Sequence, residues 1–324
     1  MTDRSTPTSS QESAESPREE DSVVSRQDRI AGERGHLINI AYRLLGSRSE
    51  AEDAVQEAYA RWYAMSQEKQ DAIESPGAWL TTATSRVCLS QLKSARARRE
   101  SYVGPWIPEP LPDNSAWLTG RANGIAVDPA DRITLDESVA MAFLVLLDSM
   151  TPAERVAFIL HDIFCLTFAE VSEIIGRTPA ACRQLASSAR RRVRTARAPS
   201  ATPARHAQVV REFKRAWEAK DIATLVDLLD PEATACADSG GLAETFPEPI
   251  QGAESIARAW ADLAGRVSED ISLLERLING QLAVVAERKG QPVSVFTFDV
   301  ADDRVRHIWV TANPRKIQFF YSPN

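Results

Sequence analysis

The chain has 324 residues, 44% of them hydrophobic, with 45 acidic against 38 basic side chains and a formal net charge of −7. At roughly 100–200 residues per domain this length holds two or three globular domains, and no apolar run approaches the roughly 18 residues of a membrane-spanning helix. Four scattered cysteines (Cys88, Cys165, Cys182, Cys236) form neither a CxxC pair nor a Cys/His cluster, which argues against a disulfide framework or a zinc site and fits a reducing cytoplasm.

Residues 1–27 are rich in Ser, Pro and Glu with no apolar stretch, so they read as a disordered tail and not as a signal peptide. Residues 28–100 are helical. Ile30, Leu37, Ile40, Ala41, Leu44 and Leu45, then Ala51, Ala54, Val55, Ala58, Tyr59 and Trp62, recur at three-to-four spacing, and Gly46-Ser47 splits the pattern into two helices. A polar loop over 66–75 follows, then Ser75 as cap and Pro76 as first helical residue open a helix to about Arg99. Residues 101–130 contain five prolines, three glycines and two tryptophans and read as a linker. Helices return over 131–198. Leu135, Val139, Ala142, Phe143, Leu146 and Leu147 make one apolar face. Thr151-Pro152-Ala153-Glu154 is a capping box that starts a helix reaching His161. Phe168–Ile175 is a short helix stopped by Gly176, and Thr178-Pro179 opens another that runs to about Arg197. After a second linker, 199–205, residues 206–324 change character. Helices over 206–229 and 250–264 precede strand-like runs Ile271–Ile278, Leu282–Arg288, Pro292–Val300 and Val305–Thr311. Turns at Asn279-Gly280, Lys289-Gly290 and Asp302-Asp303 join these runs into an antiparallel meander.

The acidic sum hides concentrated positive charge. Arg177 to Arg197 holds seven arginines and no acid, and Arg86 to Arg99 holds five basic residues and no acid; phosphate binding depends on such local faces. The segment Phe168–Arg194 has the helix-turn-helix layout. Its periodicity turns Ala181, Leu185, Ala189 and Val193 toward the core and Arg183, Gln184, Ser187, Ser188 and Arg191 outward. Arg suits guanine edges and Gln adenine, while Arg190, Arg192 and Arg194 suit phosphates; the competing reading is a solvated basic helix. Pro76–Glu100 joins Trp79 and several hydroxyls to a basic end, which suits partly melted DNA, although Trp79 and Leu80 fit a core role better than base stacking. Ser49–Tyr63 sets Glu52, Asp53, Gln56 and Glu57 opposite an apolar face and, taken alone, is an ordinary solvated helix.

In order and spacing, AYRLLGSRSEAEDAVQEAYARWY, PGAWLTTATSRVCLSQLKSARARRE and TPAERVAFILHDIFCLTFAEVSEIIGRTPAACRQLASSARRRVR resemble the sigma-70 family of transcription initiation factors, extracytoplasmic-function type. The resemblance covers residues 28–198. It implies that Glu52, Asp53, Gln56 and Glu57 dock on the β′ clamp helices of core RNA polymerase, with further contact to the β flap. It implies that Trp79, Thr82, Ser85, Arg86, Lys93 and Arg96 serve the −10 element. Arg177, Thr178, Arg183, Gln184, Ser187, Ser188, Arg190 and Arg191 would serve the −35 element. Ser90 stands where Asp is common in such proteins, and Ser188 where a basic residue is common.

Residues 206–321 are similar to the SnoaL-like cone fused to one subgroup of these factors, the SigJ-like proteins. The linker YVGPWIPEP, the degenerate segment ADSGG and the segment NPRKI carry that similarity. It implies regulatory interdomain contacts through Trp106, Pro108, Asp238, Gly240, Gly241, Asn313, Pro314 and Lys316. The expected fold is therefore multidomain: two all-α sigma domains and an α+β cone. The expected protein is cytoplasmic and non-enzymatic, with no cofactor or metal and no membrane association, and with core polymerase and promoter DNA as partners. Two other readings remain open at this point. Cones of this kind include isomerases and cyclases, so Asp238 and His307 are candidates for an acid or base, or the cone holds a small ligand. An ordinary helix-turn-helix repressor with an effector domain is the other, and it leaves Ser49–Glu100 unexplained.

Overall fold

The computed structural model describes residues 30–99, 102–112, 139–196, 201–246, 248–266 and 270–320. The expected N-terminal tail, the linker beyond Pro112, Leu135 and Arg197 lie outside them, as do the side chains of residues 95–99.

Helices α1 (Arg34–Leu45), α2 (Arg48–Tyr63), a short α3 (Gln67–Asp71) and α4 (Pro76–Arg99) form the first domain. The break between α1 and α2 falls where the sequence places it. Gly46 takes a left-handed φ of 73° and donates its N–H to the Tyr42 carbonyl, and Ser47 then caps α2 by accepting from Glu50 N–H. Part of the expected polar loop is helical, because α3 is a single turn within it.

The second domain comprises α5 (Met141–Asp148), α6 (Pro152–Phe158), α7 (Phe168–Ile175) and α8 (Pro179–Ala196). Capping boxes start α6 at Thr151/Glu154 and α7 at Thr167/Glu170, each with both reciprocal hydrogen bonds. A π turn over Ile159–Ile163 ends α6. The core face of α8 is the expected one at Ala189 and Val193 but not at Ala181 and Leu185. Cys182, Ala186, Ala189 and Val193 are buried, while Ala181 and Leu185 are half-buried. Small residues on both candidate faces make the period ambiguous by one position.

The two helical domains share one apolar core. It runs from Leu37, Leu44 and Trp62 through Leu80 and Cys88 to Phe158, Val171 and Val193, and α4 packs on both α6 and α7.

The C-terminal domain places α9 (Pro203–Ala219), α10 (Ile222–Leu228) and α11 (Ala253–Arg266) on a six-stranded sheet in the order β2-β1-β6-β5-β4-β3. Its strands are β1 (Leu229–Asp238), β2 (Ile250–Gln251), β3 (Ile271–Ile278), β4 (Gln281–Arg288), β5 (Gln291–Ala301) and β6 (Arg304–Thr311), followed by a short helix α12 (Pro314–Ile317). β3 to β6 are the expected antiparallel meander. β1 was not expected, and it pairs parallel to β6, so the sheet is mixed. The single helix expected over 206–229 is two helices, because Lys220 turns left-handed (φ 56°) and Asp221 caps α10.

Alternation along each strand gives the sheet two distinct faces. One closes under the helices around Phe213, Trp217, Trp260, Phe296 and Phe298. Their rings meet edge to face, Phe213–Phe298 at 5.4 Å and Trp217–Phe296 at 4.9 Å. The opposite face carries Asp238, Cys236, Trp309 and Val295, and it turns toward the linker and the helical domains. Among the described residues no helix is long and apolar enough to cross a membrane.

Candidate nucleic-acid interface and interdomain clasp

The helix-turn-helix presents a basic surface through α8. Arg177, Arg183, Gln184, Ser187 and Arg191 are exposed along it. Arg183 also lies over the Phe168 ring at 5.2 Å, which holds its stem against α7. The other three expected −35 residues serve the fold in this arrangement. Thr178 caps α8 through Ala181 N–H at 3.2 Å. Ser188 donates to Glu154 Oε1 at 2.8 Å, which gives a physical reason for a hydroxyl at that position. Arg190 pairs with Asp162 at 2.6 Å and is drawn half inward.

Helix α4 separates its expected −10 residues in the same way. Lys93 is exposed and Thr82 half-buried. Trp79 is half-buried against the core, edge to face with Trp62 at 5.4 Å. Ser85 is fully buried, and its hydroxyl meets no hydrogen-bond partner. The expectation that Ser85 faces DNA therefore fails in this arrangement, because helical phase puts it with Thr81, Thr84 and Cys88 on the packed side. Arg86 is exposed and donates to the Glu173 carbonyl of α7 at 2.9 Å, so the −10 helix touches the −35 module. The Arg96 side chain lies outside the described residues.

On α2, Asp53, Gln56 and Glu57 are exposed and Glu52 half-exposed, with Glu52 paired to Arg48 at 3.0 Å and Glu57 to Arg61. The face is acidic and unobstructed by any described element.

The expected interdomain residues converge on a clasp around the linker Tyr102–Pro112. Asp238, wholly buried at the end of β1, accepts from Tyr102 Oη (2.6 Å), the Ile107 N–H (2.9 Å), Lys316 Nζ (2.6 Å) and the Gly240 N–H (3.1 Å). Four donors on one carboxylate offset the cost of burying it. Burial, with Asp238 as acceptor, pushes the Tyr102 phenol well above its ordinary range. Lys316 also donates to the Ile107 carbonyl and lies 4.3 Å from the Trp106 ring. Asn313 caps α12 at Arg315, with Pro314 as its first helical residue, and donates to Tyr102 Oη at 2.8 Å. Gly240 has φ 57°, and a Cβ there would lie 2.4 Å from Asn313 Nδ2. Gly241 backs onto Val103. Trp106 crosses Gly46, where a Cβ would lie 2.9 Å from Trp106 Cη2 and 3.5 Å from Pro108.

Sequence reasoning missed the residues that tie this clasp to the helical domains. Asn279, at φ 53° in the β3–β4 turn, is 1% exposed. Its Nδ2 donates to Tyr42 Oη (2.8 Å) and the Val139 carbonyl (2.9 Å), its Oδ1 accepts from Leu111 N–H (2.9 Å), and its own N–H donates to the Leu111 carbonyl (2.8 Å). One side chain thus joins the cone, both helical domains and the linker. Its Asn-Gly pairing signalled the turn but not the contacts. Glu109, between Pro108 and Pro110, is buried against the start of α2. Arg155, 3% exposed, donates to the Leu44 carbonyl of α1 (3.0 Å) and the Leu147 carbonyl (2.8 Å) and pairs with Asp148 (2.7 Å). Burial brings its guanidinium down to about 10, far enough above neutrality that it stays charged.

The two acid–base candidates of the cone lie outside its closed interior. Asp238 is occupied by the linker. His307 is on the same outer face, stacked on Trp309 at 5.5 Å and 3.2 Å from Asp299.

Comparison with known proteins agrees with this layout. The Sigma-70 region 2 family matches residues 30–98, and the family Sigma-70, region 4 matches residues 140–193. The ECF RNA polymerase sigma factor SigJ of Mycobacterium tuberculosis (strain ATCC 25618 / H37Rv) is 37% identical over 295 residues, 87% of this chain and 90% of that protein. The probable ECF RNA polymerase sigma factor SigI of Mycobacterium tuberculosis (strain CDC 1551 / Oshkosh) is 35% identical over 283 residues, 87% of this chain and 91% of that protein. The crystal structure of the Mycobacterium tuberculosis extracytoplasmic function sigma factor SigJ superposes with a TM-score of 0.69 at 33% identity, covering 91% of this chain and 98% of that one. With both sigma regions in order and a full-length relative above one-third identity, the chain belongs to the extracytoplasmic-function family of RNA polymerase sigma factors.

Proposed function

We propose that this sigma factor rests in a closed state, in which its C-terminal cone clasps the linker and holds the two promoter-reading domains together until polymerase or a signal releases them. The observation that carries this reading is the shared core. Helix α4 and the helix-turn-helix touch directly, and Arg155 of the second domain is buried on the end of α1 of the first. Packed helices lie about 8–10 Å apart. Promoter boxes roughly 25 base pairs apart, at about 3.4 Å per pair, are separated by on the order of 80 Å. The closed form cannot span them, so transcription requires opening.

In the open form, α2 docks on the β′ clamp helices through Glu52, Asp53, Gln56 and Glu57, and the second domain reaches the β flap. The exposed residues of α4 serve the −10 element, and Arg177, Arg183, Gln184, Ser187 and Arg191 serve the −35 element, with Arg190 and Ser188 freed only if their partners move. The protein acts where polymerase and chromosome meet, in the cytoplasm. The SnoaL-like cone acts as an interaction module and not as an enzyme; Asp238 spent on the linker and His307 outside the closed interior support this.

Two substitutions test the assignment of surfaces. Asp53→Arg reverses charge on an exposed face with no fold contact, so co-purification with core polymerase is expected to fall while the circular dichroism spectrum is unchanged. Arg183→Ala is expected to weaken promoter binding by about 1–3 kcal/mol and to relax preference at a single −35 position, measured by binding to a library of randomised −35 sequences. Unchanged preference would remove α8 as the reader.

A further inference from the structure

The clasp contains one carboxyl group that its surroundings leave half satisfied. Glu109 is 2% exposed, and its backbone is fixed at both ends: its N–H donates to the Gly46 carbonyl at 2.8 Å, and its carbonyl accepts from Tyr42 Oη at 2.8 Å. Oε2 accepts from Ser47 Oγ at 3.0 Å and from Arg48 N–H at 2.8 Å, at the start of α2. Oε1 is buried without a hydrogen bond of good geometry, and the Ser49 N–H adds only the smallest of the attractions on the group. Among the described residues no guanidinium or ammonium forms an ion pair with the group. Arg48 turns its side chain to Glu52 and the Phe319 ring. Lys316, on α12, is engaged by Asp238. Glu50 is the acid in the first turn of α2, and Tyr42 on α1, its phenol pushed up by burial, is neutral. The linker from Pro105 to Pro112 carries no other ionisable side chain.

We propose that Glu109 makes closure proton-linked: the closed chain holds a proton on this carboxyl that the open chain gives up to water, so acidification tightens the clasp and alkalinisation loosens it. The proposal rests on the closed-state reading above and adds a signal to it. The chemistry follows from desolvation. A buried carboxylate with one unpartnered oxygen is costly, whereas the neutral acid leaves only an unpartnered hydroxyl. Burial outweighs the hydrogen bonds from Arg48, Ser47 and Ser49 and the attraction of the Lys316 charge, and pushes Glu109 up to about 7. The sign follows from that direction. Once released, the group titrates in the ordinary carboxylate range near 4.3. Between that range and about 7 the closed state binds the extra proton, so closure strengthens as pH falls through 7 and gains nothing further once both states are protonated.

The test measures amide hydrogen exchange in the full-length chain from pH 5.5 to 8, corrected for base catalysis. The reporters are the N–H groups of Ile107, Glu109 and Leu111, which donate across the clasp to Asp238, Gly46 and Asn279. In the wild type, the opening constant is expected to rise with pH, by up to about tenfold per unit below 7 and levelling above it. Glu109→Gln, which carries no titrating proton, is expected to show a flat profile. Asn279→Ala, which cuts the clasp elsewhere, separates the two layers of the reading. Parallel wild-type and Glu109→Gln profiles, with Asn279→Ala opening the clasp, would overturn the proton linkage alone. Protection unaltered by Asn279→Ala would overturn the clasp and the linkage with it. Should Glu109→Gln fail to fold, a flat wild-type profile is by itself sufficient to reject the proposal.

Discussion

Asn279→Ala is expected to open the closed state and raise the affinity of the free chain for core polymerase. The substitution removes the side-chain hydrogen bonds to Tyr42, the Val139 carbonyl and Leu111 N–H, all of which are buried. An orphaned buried group costs about 1–3 kcal/mol, and alanine held at φ 53° costs roughly 1–2 kcal/mol more. The turn strain is present whether the chain is open or closed, so three orphaned groups at about 1 kcal/mol or more each set the shift: the closed state should lose at least about 3 kcal/mol, enough to change its population by roughly a hundredfold or more. The loss falls on the interfaces and not on the cone's aromatic core, so the expected thermal transition splits into an early and a late step. Asn279→Asp is a sharper companion. It tolerates the left-handed turn and keeps an acceptor for Leu111, but it has no donor for Tyr42 and Val139 and adds a charge to a buried site. Polymerase affinity that tracks the loss of donors in both variants supports the clasp; affinity unchanged in both would mean that this node is merely structural.

The second large effect is expected at Asp238. Alanine there leaves the Lys316 ammonium, the Tyr102 hydroxyl and the Ile107 N–H without their acceptor. Breaking a buried ion pair from one side costs about 3–5 kcal/mol, mostly because the remaining charge stays buried. A double-mutant cycle isolates this. Lys316→Met removes the stranded charge while keeping a long apolar stem over Trp106, so the pair of substitutions should cost clearly less than the two single changes added together. Denaturant midpoints measure the cycle. Strict additivity would show that the carboxylate and ammonium do not act as a unit.

Local signals in the sequence carried much of the fold. Thr151-Pro152-Ala153-Glu154, Gly46-Ser47 and Thr178-Pro179 each specify a backbone boundary through their own hydrogen-bonding or φ requirement, and the helices begin or end there. β1 escaped notice because its inward residues, Ala233, Ala235 and Ala237, are small and its first half carries Pro231 and acids; neither β-branched residues nor strong alternation mark it. The helix break at Lys220 was hidden because a lysine fills the left-handed position where glycine would have signalled it. The first half of α8 slipped by one, from Ala181 and Leu185 to Cys182 and Ala186, because small residues stand on both candidate faces.

The candidate site divides along the same line. Exposed charge on α2 and α8 follows from helical phase, so Asp53, Arg183 and Arg191 were legible. Ser85 and Ser188 were not, because whether a hydroxyl faces DNA or a neighbouring helix depends on tertiary packing. Asn279, Glu109 and Arg155 act across sequence separations of 237, 61 and 111 residues. No periodicity within one element encodes a contact of that range, and a lone Glu between prolines or an Asn in a turn has ordinary local explanations.

Whether the free chain is closed and must open to work is read from the distance between the two helical domains. A pair of spin labels at exposed Ala72 and Ala169 reports it in the free chain and again in the promoter-bound holoenzyme. One short, narrow distance is expected in the free chain and a separation tens of ångströms longer on the promoter. The same distance in both, or a free chain already extended, would contradict closure followed by opening.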